Sequence, residues 1–191
     1  LGVPVHELLG GAVRDKMKIY GWIGGDTASS AARDAASRIE AGFKAVKMNA
    51  CGPMGWIDTP QKVMDAVETI RAVREAIGYN NDLGVDFHGR IHKGMAKSFM
   101  KELDELKLMF IEEPVLSENA SLFPQLAAYT STPIAAGERL FNRWDFKHIL
   151  ESGGVDIIQP DLSHAGGLTE VKKIAAMAEA YDIALAPHCP L

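Results

Sequence analysis

The sequence predicts an α/β fold built on a parallel sheet, and three observations predict it. Seven short apolar or β-branched runs recur along the 191 residues. Longer segments with helical spacing separate them. From the third run onward, each ends in an acid or an imidazole, at steps of one strand–helix unit. Strands that alternate with helices pair in parallel, because each helix returns the chain across a face of the sheet. Two architectures satisfy this pattern: an open doubly wound sheet and a (β/α) barrel.

The runs follow in order. "KIYGWI" (18–23) is the first strand and "AVKMNA" (45–50) the second. No glycine-rich phosphate loop occupies the crossover between them, which weakens the nucleotide-binding version of the fold. The segment "DTPQKVMDAVETIRAVREAIG" then reads as a helix. Thr59 is placed to cap it, Pro60 suits its first turn and Gly78 its end. Val63, Val67, Ile70, Val73 and Ile77 form its apolar stripe. "LGVDFH" (83–88), "LMFIEE" (108–113), "PIAAGE" (133–138), "VDIIQPD" (155–161) and "IALAPH" (183–188) complete the strands. A last helix over about 167–181 carries Leu168, Val171, Ile174, Ala178 and Tyr181 on one side. Before it, "SHAGG" (163–167) reads as a turn, with an anion-holding helix start as the alternative.

Composition narrows the function. Apolar residues make up 47% and charged residues 24%, with a net charge of −5. That balance gives no basic footprint for nucleic acid. No apolar run is long enough for a membrane span, and no segment has the form of a signal peptide. Two cysteines, Cys51 and Cys189, make no disulfide framework, so reduced thiols and a cytoplasmic location are expected. The chain opens on Leu1 and stops at "APHCPL", just past a strand end. A fragment of a longer protein is expected.

The strand ends carry the chemistry. Asp86 and Glu112 are 26 residues apart, and Glu112 and Glu138 again 26. Asp161 follows after 23 and His188 after 27. Residues so spaced reach equivalent heights on successive strands. In a barrel they would share one mouth, where active sites lie. Three carboxylates there repel one another unless a cation joins them. Hard oxygen ligands suit Mg²⁺. A lone acid at a strand end is ordinarily a helix cap or a solvated residue; three at unit spacing favour a metal site. Within "IEEP", alternation sends Glu112 inward with Leu108 and Phe110, and Glu113 outward to an ion pair on the helix side. Alternation also puts Asp86 and His88 on one face.

His88 and His188 sit with the carboxylates; His6, His92, His148 and His164 are assigned structural roles. Asp161 is placed to bind the second ring nitrogen of His188, fixing its tautomer and raising its basicity. His188 then makes a base and His88, biased toward its protonated form by nearby anions, an acid. A cation holding a substrate carboxylate would stabilise the enediolate formed when the adjacent carbon loses its proton. An acid would protonate a departing hydroxyl. The product is an enol that becomes a 2-keto acid.

The phrases "DFHGR" (86–90), "FIEEPVL" (110–116), "AAGERLF" (135–141), "QPDLSHAGG" (159–167) and "APHCPL" (186–191) closely resemble the mandelate racemase branch of the enolase superfamily. "GVPVHELLGG" resembles the segment leading from that family's lid domain into its barrel. The resemblance implies a TIM-type (β/α) barrel of about seven strands, with 1–15 as the entering segment and 16–191 as the partial barrel. It implies that the lid domain and the last strand lie outside the chain. It implies Asp86, Glu112 and Glu138 as Mg²⁺ ligands, His88 as general acid, and His188 with Asp161 as general base. The branch often carries Lys-x-Lys on strand two; here "KMN" gives Lys47 and Asn49 on one face. Asn49 in place of a lysine argues against bases on both sides of the substrate. Lys47 and Asn49 are then substrate-binding, with a salt bridge to the metal carboxylates the other reading of Lys47. Arg90 and Arg139 are placed to meet substrate oxygens or loop partners, and "CGPMGWID" (51–58) forms a flap or an ordinary loop.

The implied activity is Mg²⁺-dependent dehydration of a sugar acid, with D-galactonate the expected substrate, by a homo-oligomeric, cytoplasmic protein with no nucleic-acid or membrane partner. Another acid-sugar dehydratase or a racemase on the same scaffold is the enzymatic alternative, and a non-catalytic metal-binding barrel the non-enzymatic one. A metallohydrolase would need histidine ligands, and the first strand offers only "KIYGW".

Overall fold

The structure is a computed structural model, and it describes residues 1–189. Seven strands form one sheet: β1 (Gly21–Trp22), β2 (Ala45–Asn49), β3 (Asp82–Asp86), β4 (Phe110–Glu112), β5 (Ile134–Ala136), β6 (Ile157–Ile158) and β7 (Ala184–Leu185). Their order in space is their order in sequence, and every pairing is parallel. That decides between the two architectures. A doubly wound sheet reverses its strand order at a switch point; this chain advances one strand at a time, as the wall of a (β/α) barrel does. The strands are shorter than the apolar runs that announce them, because the residues flanking each core pair turn into the loops.

Helices separate the strands: α2 (Ala28–Glu40), α3 (Pro60–Ile77), α4 (Lys93–Leu103), α5 (Phe123–Ala127), α6 (Arg143–Ser152) and α7 (Gly167–Ala180), after a short, fully exposed α1 (Val5–Leu8). In α3 the stripe Val63, Val67, Ile70, Val73 and Ile77 is buried. Pro60 opens the helix, and Gly78, at φ 65°, ends it by donating to the Arg74 carbonyl at 2.9 Å. Thr59 occupies the cap position, but its side chain makes no capping bond. In α7 Val171, Ile174 and Ala178 are buried, whereas Leu168 in its first turn and Tyr181 just past its end, also assigned to that stripe, are exposed. Gly166 and Gly167, both at φ 84°, start that helix in a left-handed turn.

Alternation sorts the sheet. Leu83 and Val85 of β3 and Ile111 of β4 pack in the main apolar cluster with the helices. Gly84, Asp86, Phe110 and Glu112 face the opposite way. Register then makes neighbours of them: Gly84 pairs with Phe110 and Asp86 with Glu112. A Cβ at Gly84 would stand 2.8 Å from the Phe110 ring, so only glycine lets that ring lie across β3. The aromatic ring fills the layer below the carboxylates, and Tyr20 meets it edge-on at 6.0 Å.

One buried cation braces the end of the barrel opposite the carboxylates. Arg74, 2% exposed, donates to the carbonyls of Gly78, Asn81, Leu106 and Lys107 at 2.8–3.0 Å. Four carbonyl acceptors replace the water that its guanidinium gives up.

Candidate active site

The carboxylates gather as the unit spacing predicts. Asp86, Glu112 and Glu138 each offer an oxygen within 4.8 Å of the others. Asp86 and Glu112 are the last residues of adjacent, paired strands. Glu138 lies two residues past β5, after a turn at Gly137 with φ 124°. A Cβ there would stand 2.7 Å from the Phe146 ring, so glycine is what lets the chain bend inward at that point.

The pair on β3 and β4 is deeply buried: Asp86 is 2% exposed and Glu112 0%. Burial and the neighbouring Asp86 charge push the Glu112 carboxyl up to about 7, against the opposing pull of Lys47 and Gln159. Lys47 is itself 4% exposed. Its ammonium lies 3.1 Å from Asp86 Oδ2 and bonds Glu112 Oε2. Burial favours losing its proton, but the two carboxylates outweigh it and hold the pKa above the ordinary lysine value. Trp22 and Tyr20 cover the ammonium, with ring centroids at 5.5 and 5.8 Å. Glu112 Oε1 remains buried with no hydrogen-bond partner among the described residues. Clustered hard oxygens with one orphaned acceptor fit a small divalent cation. Lys47 therefore sits on the carboxylates, the salt-bridge alternative of the sequence reading. Asn49, paired in register with Asp86, is exposed at the strand end.

The imidazoles flank this group. His188 Nδ1 lies 2.9 Å from Asp161 Oδ2, and its Nε2 lies 3.4 Å from Glu138 Oε2. The backbones of Asp161 and His188 form a parallel bridge, which sets the two side chains level. Asp161 Oδ1 accepts from the Ser163 and His164 amides at 2.7 and 3.0 Å. "SHAGG" is therefore a turn organised by Asp161. Burial alone would raise the Asp161 pKa; the His164 and Ser163 amides and the His188 ring outweigh it and keep the carboxylate ionised. Glu138, Arg139, Phe141, His164 and His188 line a hollow of about 320 Å³.

His88 lies on the other side, with Nε2 3.2 Å from Asp86 Oδ2. Alternation is not what brings them together. β3 ends at Asp86, and His88 adopts a left-handed φ of 53°. Asp86 Oδ1 takes the His88 amide at 2.7 Å, closing a tight turn that folds the ring back. The expected bias toward the protonated form is also corrected. Burial is the largest influence and lowers the His88 pKa, with Arg90 and Lys47 adding to it against Asp86 and Glu138. Arg139 reaches across to the His88 carbonyl at 3.2 Å. Arg90 is exposed. The 51–58 loop carries Trp56, exposed yet stacked at 3.4 Å on His92 from the neighbouring loop.

Two site residues escaped the sequence reading. Glu113 is 0% exposed and, among the described residues, makes no ion pair, where an ion pair on the helix side was expected. A left-handed φ of 43° ends the strand geometry at this residue, and its Oε1 accepts from the Gly137 amide at 2.7 Å and from the Ser117 hydroxyl. Burial pushes its carboxyl up to about 7. Gln159, 1% exposed, donates to Glu112 Oε2 at 2.9 Å. Alternation within "QPD" sets Gln159 on the face of Asp161 and would have found it. Pro190 and Leu191, the end of "APHCPL", lie outside the described residues.

Comparison with known proteins agrees with this geometry. Residues 30–191 match the family described as enolase C-terminal domain-like. The D-galactonate dehydratases of Pectobacterium atrosepticum and Variovorax paradoxus are 58% and 54% identical over all 191 residues. The chain spans half the length of each. An enolase from Agrobacterium radiobacter, solved with Na and L-malate bound, superposes with a TM-score of 0.89 at 34% identity, over 99% of this chain and 49% of its own.

Proposed function

Because the chain belongs to the enolase C-terminal domain-like family, we propose that the protein it represents dehydrates a sugar acid to a 2-keto-3-deoxy acid, with D-galactonate as substrate and Mg²⁺ as cofactor. The observation that carries this reading is one arrangement: three clustered carboxylates with an imidazole against each outer member, His88 on Asp86 and His188 on Glu138. The names of the relatives support the substrate.

Asp86, Glu112 and Glu138 would hold the cation. When bound, Mg²⁺ supplies positive charge beside the substrate carboxylate and so acidifies the neighbouring C–H. The chain's own residues move the protons. Asp161 accepts the Nδ1–H of His188 and leaves Nε2 bare, the form a base requires. His188 Nε2 takes the C2 proton. His88 Nε2–H delivers a proton to the C3 hydroxyl, which leaves as water rather than as hydroxide. Burial disfavours the imidazolium from which His88 donates, and the Asp86 and Glu138 charges oppose that. The C2–H electron pair becomes the C2–C3 double bond as the C3–O bond breaks, and the enol tautomerises to the ketone. Lys47 compensates the carboxylates from below, and Asn49 meets substrate at the mouth. The protein works in the cytoplasm as a homo-oligomer, with the 1–15 segment leading into the barrel.

Incubating the full-length protein with a panel of sugar acids, and assaying 2-keto acid with and without Mg²⁺, tests this. Keto acid from D-galactonate alone supports the reading; epimerisation without keto acid replaces it with a racemase, and binding of metal without turnover of any acid with a non-catalytic barrel.

A further inference from the structure

Gln159 is a buried amide that is only half satisfied. It is 1% exposed and directly follows β6. Its main-chain amide donates to the Ala136 carbonyl at 2.9 Å, which ties it to β5. Its side-chain Nε2 donates to Glu112 Oε2, while Gln159 Oε1 is buried with no partner among the described residues. An orphaned carbonyl in a protein interior is destabilising, and methionine would fill similar volume without one. The position breaks a rule of good packing, and such breaks concentrate at functional sites.

The gain lies on Glu112. A carboxylate rotates about its last carbon–carbon bond, which would exchange its two oxygens. Here Oε2 receives both the Lys47 ammonium and the Gln159 amide. Oε1, also buried, receives nothing. Two donors on one oxygen, arriving from β2 and from the end of β6, fix the carboxylate plane and distinguish its oxygens.

We propose that Gln159 is a positioning residue for the cation site, holding Glu112 Oε2 so that Oε1 is the oxygen presented to a divalent cation. Lys47 alone does not suffice, because its four-carbon stem can follow the carboxylate as it turns, whereas the Gln159 amide stands on a shorter, two-carbon stem and is planar. The proposal rests on reading the three carboxylates as a cation site.

Calorimetric titration of the full-length protein with Mn²⁺ tests it, comparing wild type with Gln159→Met and with Gln159→Asn, whose amide falls one methylene short of Glu112. Removing an outer hydrogen bond to a metal ligand weakens affinity by about tenfold or more. That loss is expected in each variant, with a circular dichroism spectrum like that of metal-free wild type and a cooperative melting transition that shows the variant folded. Equal affinity in wild type and a folded variant overturns the positioning role and leaves the cation site standing. Failure of both variants to fold also overturns it, by making Gln159 a structural residue. Wild type that takes up no Mn²⁺ overturns the cation site itself, a distinguishable result.

Discussion

His188 and Asp161 are joined twice, by a ring hydrogen bond of 2.9 Å between Nδ1 and Oδ2 and by a backbone bridge between their strand ends. The bridge sets the pair's height, and the ring bond sets the tautomer. An Asp161→Asn amide can donate to Nδ1, which would move the ring proton to Nε2 and block the base. Turnover of the full-length protein is expected to fall on the order of 10²-fold or more, while Mn²⁺ affinity by calorimetry stays within twofold, on the order of experimental scatter in such titrations.

The two imidazoles have separable tasks. In D₂O, a base alone exchanges the C2 proton of D-galactonate, and an acid is needed to go further. His88→Asn is expected to retain deuterium incorporation into recovered substrate while losing keto acid. His188→Asn is expected to lose both. NMR of the recovered acid measures this, and exchange surviving in His188→Asn would move the base elsewhere.

Gly137 aims Glu138. Alanine there meets the Phe146 ring and a left-handed φ, each costing about 1–3 kcal/mol. Gly137→Ala is expected to lower the melting temperature and weaken Mn²⁺ binding together. Gly153 has φ 71° with nothing within 4 Å of an added Cβ. Gly153→Ala is therefore expected to cost only about 1 kcal/mol, a backbone term, and to leave Mn²⁺ binding unchanged.

Asp104 gives a pH dependence remote from the site. Burial would raise its pKa, but the Thr130 hydroxyl and the Ser131 amide, at 2.9 Å, outweigh it and hold the value below the ordinary 3.8. A carboxylate with a depressed folded pKa stabilises the fold above its unfolded value, and the contribution disappears as pH falls through the folded one. The urea midpoint of wild type is expected to exceed that of Asp104→Asn near neutrality, with the gap closing below pH 3.8. A gap that is constant with pH would remove Asp104 from the acid response.

What was legible followed from period. The 26-residue steps located Asp86, Glu112 and Glu138 because a barrel repeats one unit; Asp86 and Glu112 are paired in register, whereas Glu138 stands three residues beyond Ala135, the partner of Glu112, and joins them through the Gly137 turn. The α3 stripe was legible for the same reason. Periodicity stops being a guide where the backbone leaves its period. His88, Glu113 and Gly137 all have positive φ, and at the first two of them alternation no longer says where a side chain points. Thus Asp86 meets His88 through a turn, and Glu113 bonds the Gly137 amide and the Ser117 hydroxyl in place of an ion-pair partner. Gln159 obeys alternation; an uncharged amide simply draws less notice than an acid.

The most direct test of the account is anomalous diffraction from crystals of the full-length protein grown with Mn²⁺. A single strong peak is expected at roughly 2.0–2.3 Å from one oxygen each of Asp86, Glu112 and Glu138, with His88 and His188 on opposite sides of it. A Mn²⁺ peak bound elsewhere, or carboxylates that stay bridged by Lys47 alone under saturating Mn²⁺, would contradict it.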